Sequence, residues 1–153
     1  MTAGHSAAFD LVIWATDGSE NADLALEYAV KLARSRLLAV HVKEMGVGRS
    51  AGYPVHVDEE EREQKVRRQV DELKDAGVDV ELELAAVASG GAAHVIADIA
   101  RDAGADVVVV GTRGQGLVAG LLLGSVTHRL LHVAPCPVLA VPSRSALDDA
   151  EGA

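Results

Sequence analysis

The chain is poor in aromatic residues, has a single cysteine and carries no excess of positive charge. Each shortage removes a class of protein. With aromatics at 3% of the sequence, a core has to be assembled from Ala, Val, Leu and Ile. That favours buried parallel strands covered by alanine-rich helices, which sit close to a sheet. One cysteine, Cys136, excludes an intramolecular disulfide; it lies in an apolar run without neighbouring cations and reads as a buried structural thiol. A formal net charge of −9 argues against a nucleic-acid partner, which needs a basic face. The densest basic stretch, Lys65, Arg67 and Arg68, is interleaved with acids and reads as solvated helix surface. No apolar run reaches the roughly 18 residues of a membrane span. The opening residues MTAGHSAAFD show neither the basic start nor the apolar stretch of a signal peptide, so a cytoplasmic location is expected.

What is present suits one domain: 153 residues, 49% of them hydrophobic and 24% charged. Residues 1–9 and the acidic stretch 143–153 read as flexible tails around a folded unit over 10–142. Inside it, short apolar runs alternate with amphipathic segments. Asp10 to Ala15 is a first strand, followed by a turn, Thr16-Asp17-Gly18-Ser19, with Ser19 as helix N-cap. Ala22, Ala25, Leu26, Ala29, Val30 and Ala33 recur at helical spacing. Leu37 to Val42 is a second strand, and Lys43 to Val57, with its glycines and Pro54, reads as a loop.

A polar helix is expected from Asp58, with Glu61–Lys65 and Glu63–Arg67 as i, i+4 pairs and Gly77 at its end. Its stripe is only Val66, Val70 and Leu73, which places it on the outside. Val78 to Val87 alternates as a less buried strand does. A third helical face runs from Ala92 to Ala103. Asp106 to Val110 is continuous and β-branched, as in a strand buried on both faces. After a glycine-rich loop come a short helix (Val126, Leu130, Val133, Ala134) and a last strand, Pro137 to Val141, framed by prolines that suit a sheet edge. The fold class is therefore α/β: a single doubly wound domain, a five-stranded parallel sheet with helices on both faces. Ligands of such sheets bind beyond the carboxyl ends of the strands, where the winding reverses.

The loop there reads Gly111-Thr112-Arg113-Gly114-Gln115-Gly116 and continues to Gly120 and Gly124-Ser125-Val126-Thr127. Glycines let backbone N–H groups approach an anion, and Gly124-Ser125 opens a helix whose first N–H groups are unpaired donors. Ser125 and Thr127 add hydroxyls, and Arg113 is the loop's one cation. The same loop is also compatible with a tight connection and nothing more. It is not a P-loop, because no lysine follows the last glycine. No Gly-x-Gly-x-x-Gly follows the first strand either, which weakens a nicotinamide dinucleotide reading. Asp17 suits a ribose or metal ligand as well as a turn residue bonding its own backbone. His128 and His132 have metal-compatible spacing without a third ligand.

The spacing Gly111-x2-Gly114-x9-Gly124-Ser125 resembles that of the ATP-binding subclass of universal stress proteins. So do Thr16-Asp17-Gly18-Ser19, His41-Val42 and the closing Pro135-Cys136-Pro137-Val138-Leu139-Ala140-Val141. The resemblance covers residues 10–142 and implies an adenine nucleotide α-hydrolase-like fold. By resemblance, the Val42 backbone holds the adenine edge, Ala15 lines the base pocket, and Asp17 lies near base and ribose. Gly111 and Gly114 face ribose and phosphates, with Thr112, Arg113, Gln115 and Gly116 in the same loop, while Gly124, Ser125, Val126 and Thr127 hold the phosphates. The implied ligand is ATP with Mg²⁺ or Mn²⁺, bound mainly through phosphate and water oxygens. The implied partner is a second copy paired through Val138–Val141. The chain departs from the family pattern in lacking a second basic residue near Gln115 and in the apolar run Leu117 to Leu123. AMP, ADP and cyclic AMP therefore stay open as ligands, as does a nucleotide-independent dimeric interaction protein. One arginine and no motif lysine make a poor hydrolytic apparatus, so at most weak ATP hydrolysis is expected. A nucleotide α-hydrolase that adenylates a substrate would carry Ser-Gly-Gly-x-Asp-Ser after the first strand, which Thr16 to Ser19 does not match.

Overall fold

The structure, a computed structural model, describes residues 8–45, 55–113 and 123–143. Five strands are present: β1 (Phe9–Thr16), β2 (Ala33–Met45), β3 (Val80–Ala88), β4 (Val107–Gly111) and β5 (Val138–Val141). Four helices connect them: α1 (Asp23–Leu32), α2 (Val55–Asp75), α3 (Ala92–Ala103) and α4 (Ser125–Val133). All strand pairings are parallel, and the sheet order is β3-β2-β1-β4-β5. The chain thus winds outward from β1 to β3, returns to the other side of β1, and winds outward again to β5. This is the doubly wound sheet that the alternating pattern predicts.

Residue alternation along the strands divides the core in two. Val12, Trp14, Leu37, Ala39, Val107 and Val109 face α1 and α2. Leu11, Ile13, Ala15, Leu38, Val40, Val108 and Val110 face α3 and α4. Alanines at the contacts let the helices approach closely: Ala25 and Ala29 of α1, and Ala93, Ala97 and Ala100 of α3, are all buried. β4 is buried along its whole length, as its run of valines predicts. The outer strand β3 starts at buried Val80 and then largely alternates exposed with half-buried positions, and the proline-framed β5 is the opposite edge.

Several boundaries differ from the sequence expectation. β1 starts at Phe9, one residue inside the expected tail, and Phe9 pairs with Ala33. Ala33 is therefore not the last apolar position of a helix but the first residue of β2, and Ala33-Arg34-Ser35-Arg36 extends that strand beyond the helix-covered area. Strand pairing needs only backbone groups, so polar side chains reach solvent there and hide the strand from a hydrophobicity pattern. The expected loop Lys43 to Val57 begins inside β2, which runs to Met45, and ends inside α2; residues 46–54 lie outside the described set. The expected tails at 1–7 and 144–153 lie outside it as well.

The polar helix α2 is not simply peripheral. Val66 is fully buried and Val70 nearly so, both within the core cluster on the α1 side of the sheet. Its narrow stripe is the apolar contact, flanked by polar contacts to β2 and α1. The expected Glu63–Arg67 pair forms at 2.8 Å. The expected Glu61–Lys65 pair does not. Lys65 instead reaches Asp23 at 2.9 Å, with Gln69 Nε2 donating to the other Asp23 oxygen at 3.0 Å. The acid at the start of α1 is the better partner, because it ties two helices together. Gly77 ends α2 as expected: Gly77 N–H bonds Lys74 O and Val78 N–H bonds Leu73 O.

Cys136 is half-buried rather than buried. Burial pushes its thiol above its ordinary value, and the nearby Asp106 charge adds to this, so the inert character read from the sequence holds.

Val66 gives a direct test of how α2 is anchored. Val66→Ala should lower unfolding free energy in urea by about 2 kcal/mol, from lost burial and the cavity left behind. A change within error would mean that α2 lies loosely on the surface.

Candidate functional site

The winding reverses between β1 and β4, so the crevice lies beyond Thr16 and Gly111. β1 leaves the sheet through a tightly bonded turn. Gly18 N–H donates to Thr16 Oγ1 at 3.0 Å, and Ser19 N–H donates to Asp17 Oδ1 at 3.0 Å. The Ser19 hydroxyl also bonds Asp17 Oδ1. Asp17 therefore closes an Asx turn. Ser19 stands at the cap position of the 3-10 turn Glu20–Ala22, where its carbonyl accepts from Ala22 N–H, but its side chain makes no capping bond. The expected side-chain N-cap is replaced by the bond to Asp17. The turn Glu20–Ala22 is itself pinned from below, because buried Trp14 donates its Nε1–H to Ala22 O at 3.1 Å.

On the other side of the crevice, β4 and α4 are joined by short bonds. Thr127 Oγ1–H donates to Gly111 O at 2.7 Å, and Gly124 N–H donates to Thr112 O at 2.7 Å. Thr112 N–H donates to Val141 O, fixing the end of β5 to the same point. The α4 ladder starts with His128 N–H on Gly124 O, so the N–H groups of Ser125, Val126 and Thr127 precede it. A side chain at Gly111 would put its Cβ 2.8 Å from Asn21 O, so only glycine lets β4 pass this close to the turn after β1.

The predicted site residues are thereby placed as follows. Asp17, Gly111, Thr112, Arg113, Gly124, Ser125, Val126 and Thr127 all lie at the carboxyl edge of the sheet, around the reversal. Ala15 is buried, on the α3 and α4 side of the sheet, and Val42 packs against the same cluster. The register of β2 with β1 ends at His41 and Thr16, whereas its pairing with β3 continues to Met45. From Val42 onward, the β1 side of β2 has run past the end of its neighbour. Thr127 is 3% exposed and its hydroxyl proton is engaged by Gly111, so its side chain braces the loop. Gly114, Gln115 and Gly116 lie outside the described residues.

The sequence reading missed a polar seam between β2 and α2. His41, read as a packed strand residue, is indeed buried at 1% exposure. It also contacts Thr16 O through Nδ1 at 2.9 Å and Glu59 Oε1 through Nε2 at 2.7 Å. Two residues on, Lys43 pairs with Glu63. Hydrogen bonds from Lys43 first, then from Arg67, hold the Glu63 carboxyl below its ordinary value of 4.5. The signal was in the spacing: Glu59, Glu63, Val66 and Val70 fall on one helix face, and Leu37, Ala39, His41 and Lys43 alternate onto one strand face. Elsewhere, Glu44 accepts from Ala92 N–H at the start of α3, and Arg129 donates to Gly90 O. Among the described residues no group of three or more His, Cys, Asp and Glu side chains is placed to hold a metal ion, and His128 with His132 form a bare pair in edge contact.

The strand order defines a doubly wound α/β protein whose winding reverses between β1 and β4. The profile of the universal stress protein family matches residues 8–142, and the chain belongs to that family. The universal stress protein in the QAH/OAS sulfhydrylase 3′ region of Thermus aquaticus is 36% identical over 140 residues, spanning 87% of this chain and 98% of its own. Universal stress protein YxiE of Bacillus subtilis is 31% identical over 149 residues, spanning 87% and 99%. A solved universal stress protein in complex with cAMP matches with TM-score 0.65 and 27% identity, covering 89% of this chain and 99% of its own.

The Glu63 seam predicts a pH dependence. A carboxyl held low in the folded state stabilises it above the unfolded value, and this contribution is lost as pH falls through the lowered folded value. Glu63→Gln should therefore cost about 1 kcal/mol at neutral pH and nothing at strongly acidic pH. Equal melting-temperature losses at both extremes would show that the mutation acts through packing alone.

Proposed function

We propose that this protein binds an adenine nucleotide at the β1–β4 crevice, with ATP as ligand, and acts as a nucleotide-dependent dimeric switch in the cytoplasm. The observation that carries this reading is the motif Gly111-x2-Gly114-x9-Gly124-Ser125, whose described ends are bonded together at the reversal through Gly124 N–H and Thr112 O. The donor set fits a phosphate: backbone N–H groups at the start of α4, Ser125 Oγ and Arg113. The edge of β2 at Val42 suits the base, since its β1 side has outrun β1 and its backbone groups there match an adenine edge. Asp17 serves the ribose side. Mg²⁺ or Mn²⁺ fits only as a companion of the phosphates, because the described residues supply no ligand cluster of their own. Turnover is at most weak, since one arginine is the only loop cation.

The relative in complex with cAMP favours a second reading, in which AMP or a cyclic nucleotide takes the same crevice. The dimer surface in this reading is the open edge of β5 over Val138–Val141, where Leu139 is exposed. A nucleotide-independent interaction protein is the outcome if the crevice stays empty.

Mass spectrometry of small molecules released from the purified protein, followed by calorimetric titration with and without Mg²⁺, tests the site. About one adenine nucleotide per chain is expected. Gly114→Ala should weaken its binding by about tenfold or more with the melting temperature unchanged. Unchanged affinity would remove the loop from the site. Leu139→Arg should shift the protein to monomer in sedimentation at micromolar concentration; a persistent dimer would place the interface elsewhere.

A further inference from the structure

His41 lies beside Val42 of the proposed site on β2 and across from Thr16 on β1, which leads into Asp17. Both of its ring nitrogens face oxygens: Thr16 O at 2.9 Å and Glu59 Oε1 at 2.7 Å. A backbone carbonyl only accepts, and an ionised carboxylate only accepts. A neutral imidazole carries one N–H and satisfies one of them. Both contacts are hydrogen bonds only when the pair holds one proton more than a neutral ring facing an ionised carboxylate. The ring is buried at 1% exposure, where an acceptor facing an acceptor is costly.

We propose that His41 and Glu59 share this additional proton, and that the bridge so formed positions the turn Thr16–Ser19 for the nucleotide. The link to ligand rests on the proposed nucleotide site. The bridge acts on the turn at two points. Thr16 O is held directly by the His41 ring. Glu59 draws in the first turns of α2, whose Arg62 backbone lies against Gly18. A Cβ at Gly18 would come 2.9 Å from Arg62 O and 2.7 Å from Arg62 Cβ. The other charged groups around the ring are accounted for. On β2 and α2, Lys43 and Glu63 pair with each other. In the turn after β1, Asp17 is bonded to Ser19, and β3 presents apolar Leu84 as the register partner of His41.

The test uses the unliganded protein first. Ring-nitrogen and carboxyl NMR at neutral pH should show the extra proton on His41 or on Glu59; an ionised Glu59 facing a bare ring nitrogen overturns the proposal. Glu59→Ala should speed amide exchange at Gly18 and Ser19 by about tenfold and weaken ATP binding by a similar factor. Glu59→Gln rebuilds the bridge with its amide donating to a neutral ring, so it should restore both quantities. Wild-type exchange at Gly18 and Ser19 in Glu59→Ala overturns the positioning role. Faster exchange with unchanged ATP affinity breaks the link to the ligand. A wild-type protein that binds no nucleotide sinks the proposed function alone, because the ring spectrum and the amide exchange decide the bridge without ligand.

Discussion

Strand β1 has no open side. Strands β2 and β4 occupy both of its edges, and helices cover both of its faces. Its residues from Leu11 to Thr16 are all buried, so every backbone group there has to be paired within the protein. The parallel ladder does this along its length, and only the two ends need other partners. At the start, the Asp106 carboxylate takes Asp10 N–H and Leu11 N–H, and Asp106 N–H bonds Leu11 O. One aspartate thus sets the register in which β1 and β4 begin. At the other end, the chain leaves a buried strand beside an open crevice, and that is where polar groups concentrate.

The two walls of the crevice are held by different chemistry. On the β4 wall, Thr127 on Gly111 O and Gly124 on Thr112 O fix the start of α4 by neutral hydrogen bonds within one connection. Such bonds are insensitive to pH and fix the donors of α4 before any anion arrives. On the β1 wall, the turn Thr16–Ser19 is held from outside, by His41 below and by the α2 backbone at Gly18. The partners of α2 are charged: Glu59 to His41, Glu63 to Lys43, and Lys65 to Asp23. Its apolar contribution is concentrated lower down, at Val66 and Val70. The helix is thus anchored by two valines at its middle and oriented by polar contacts toward its start.

The elements legible in the sequence were those whose signal is apolar. The valine run of β4, the alanine face of α3 and the alternation of β3 all appear as the residues predict, and the strand order follows from right-handed crossovers. What escaped was written in polar residues. Ala33 to Arg36 form strand through backbone pairing with β1, with Arg34 and Ser35 reaching Asp10 at the strand's edge. Ser19 stands at a cap position, but its hydroxyl prefers Asp17, two residues back, to the helix ahead. Lys65 chooses a partner 42 residues away over the glutamate one turn before it. Local spacing rules rank neighbours on one helix and are silent about a helix not yet docked. The location of most described candidate positions at the carboxyl edge was legible, because strand ends and glycines mark that edge. Its internal bonds were not, since no pattern in one segment announces that Thr127 will meet Gly111 or that His41 will meet Glu59.

The same distinction explains where the family resemblance is informative. The glycines and the Asp17 turn are dictated by close approach: Gly111 by the Asn21 carbonyl, Gly18 by the Arg62 backbone. Residues fixed by such contacts hold the shape of the crevice whatever occupies it. Under the proposed function, a preference among adenine nucleotides would come from side chains near the ligand, of which the described ones are Arg113 and Ser125 on the β4 side and Asp17 in the turn after β1. With one cation against a triphosphate, the phosphate charge has to be met mainly by backbone N–H groups and a companion metal ion. A monophosphate or a cyclic phosphate needs less of that compensation.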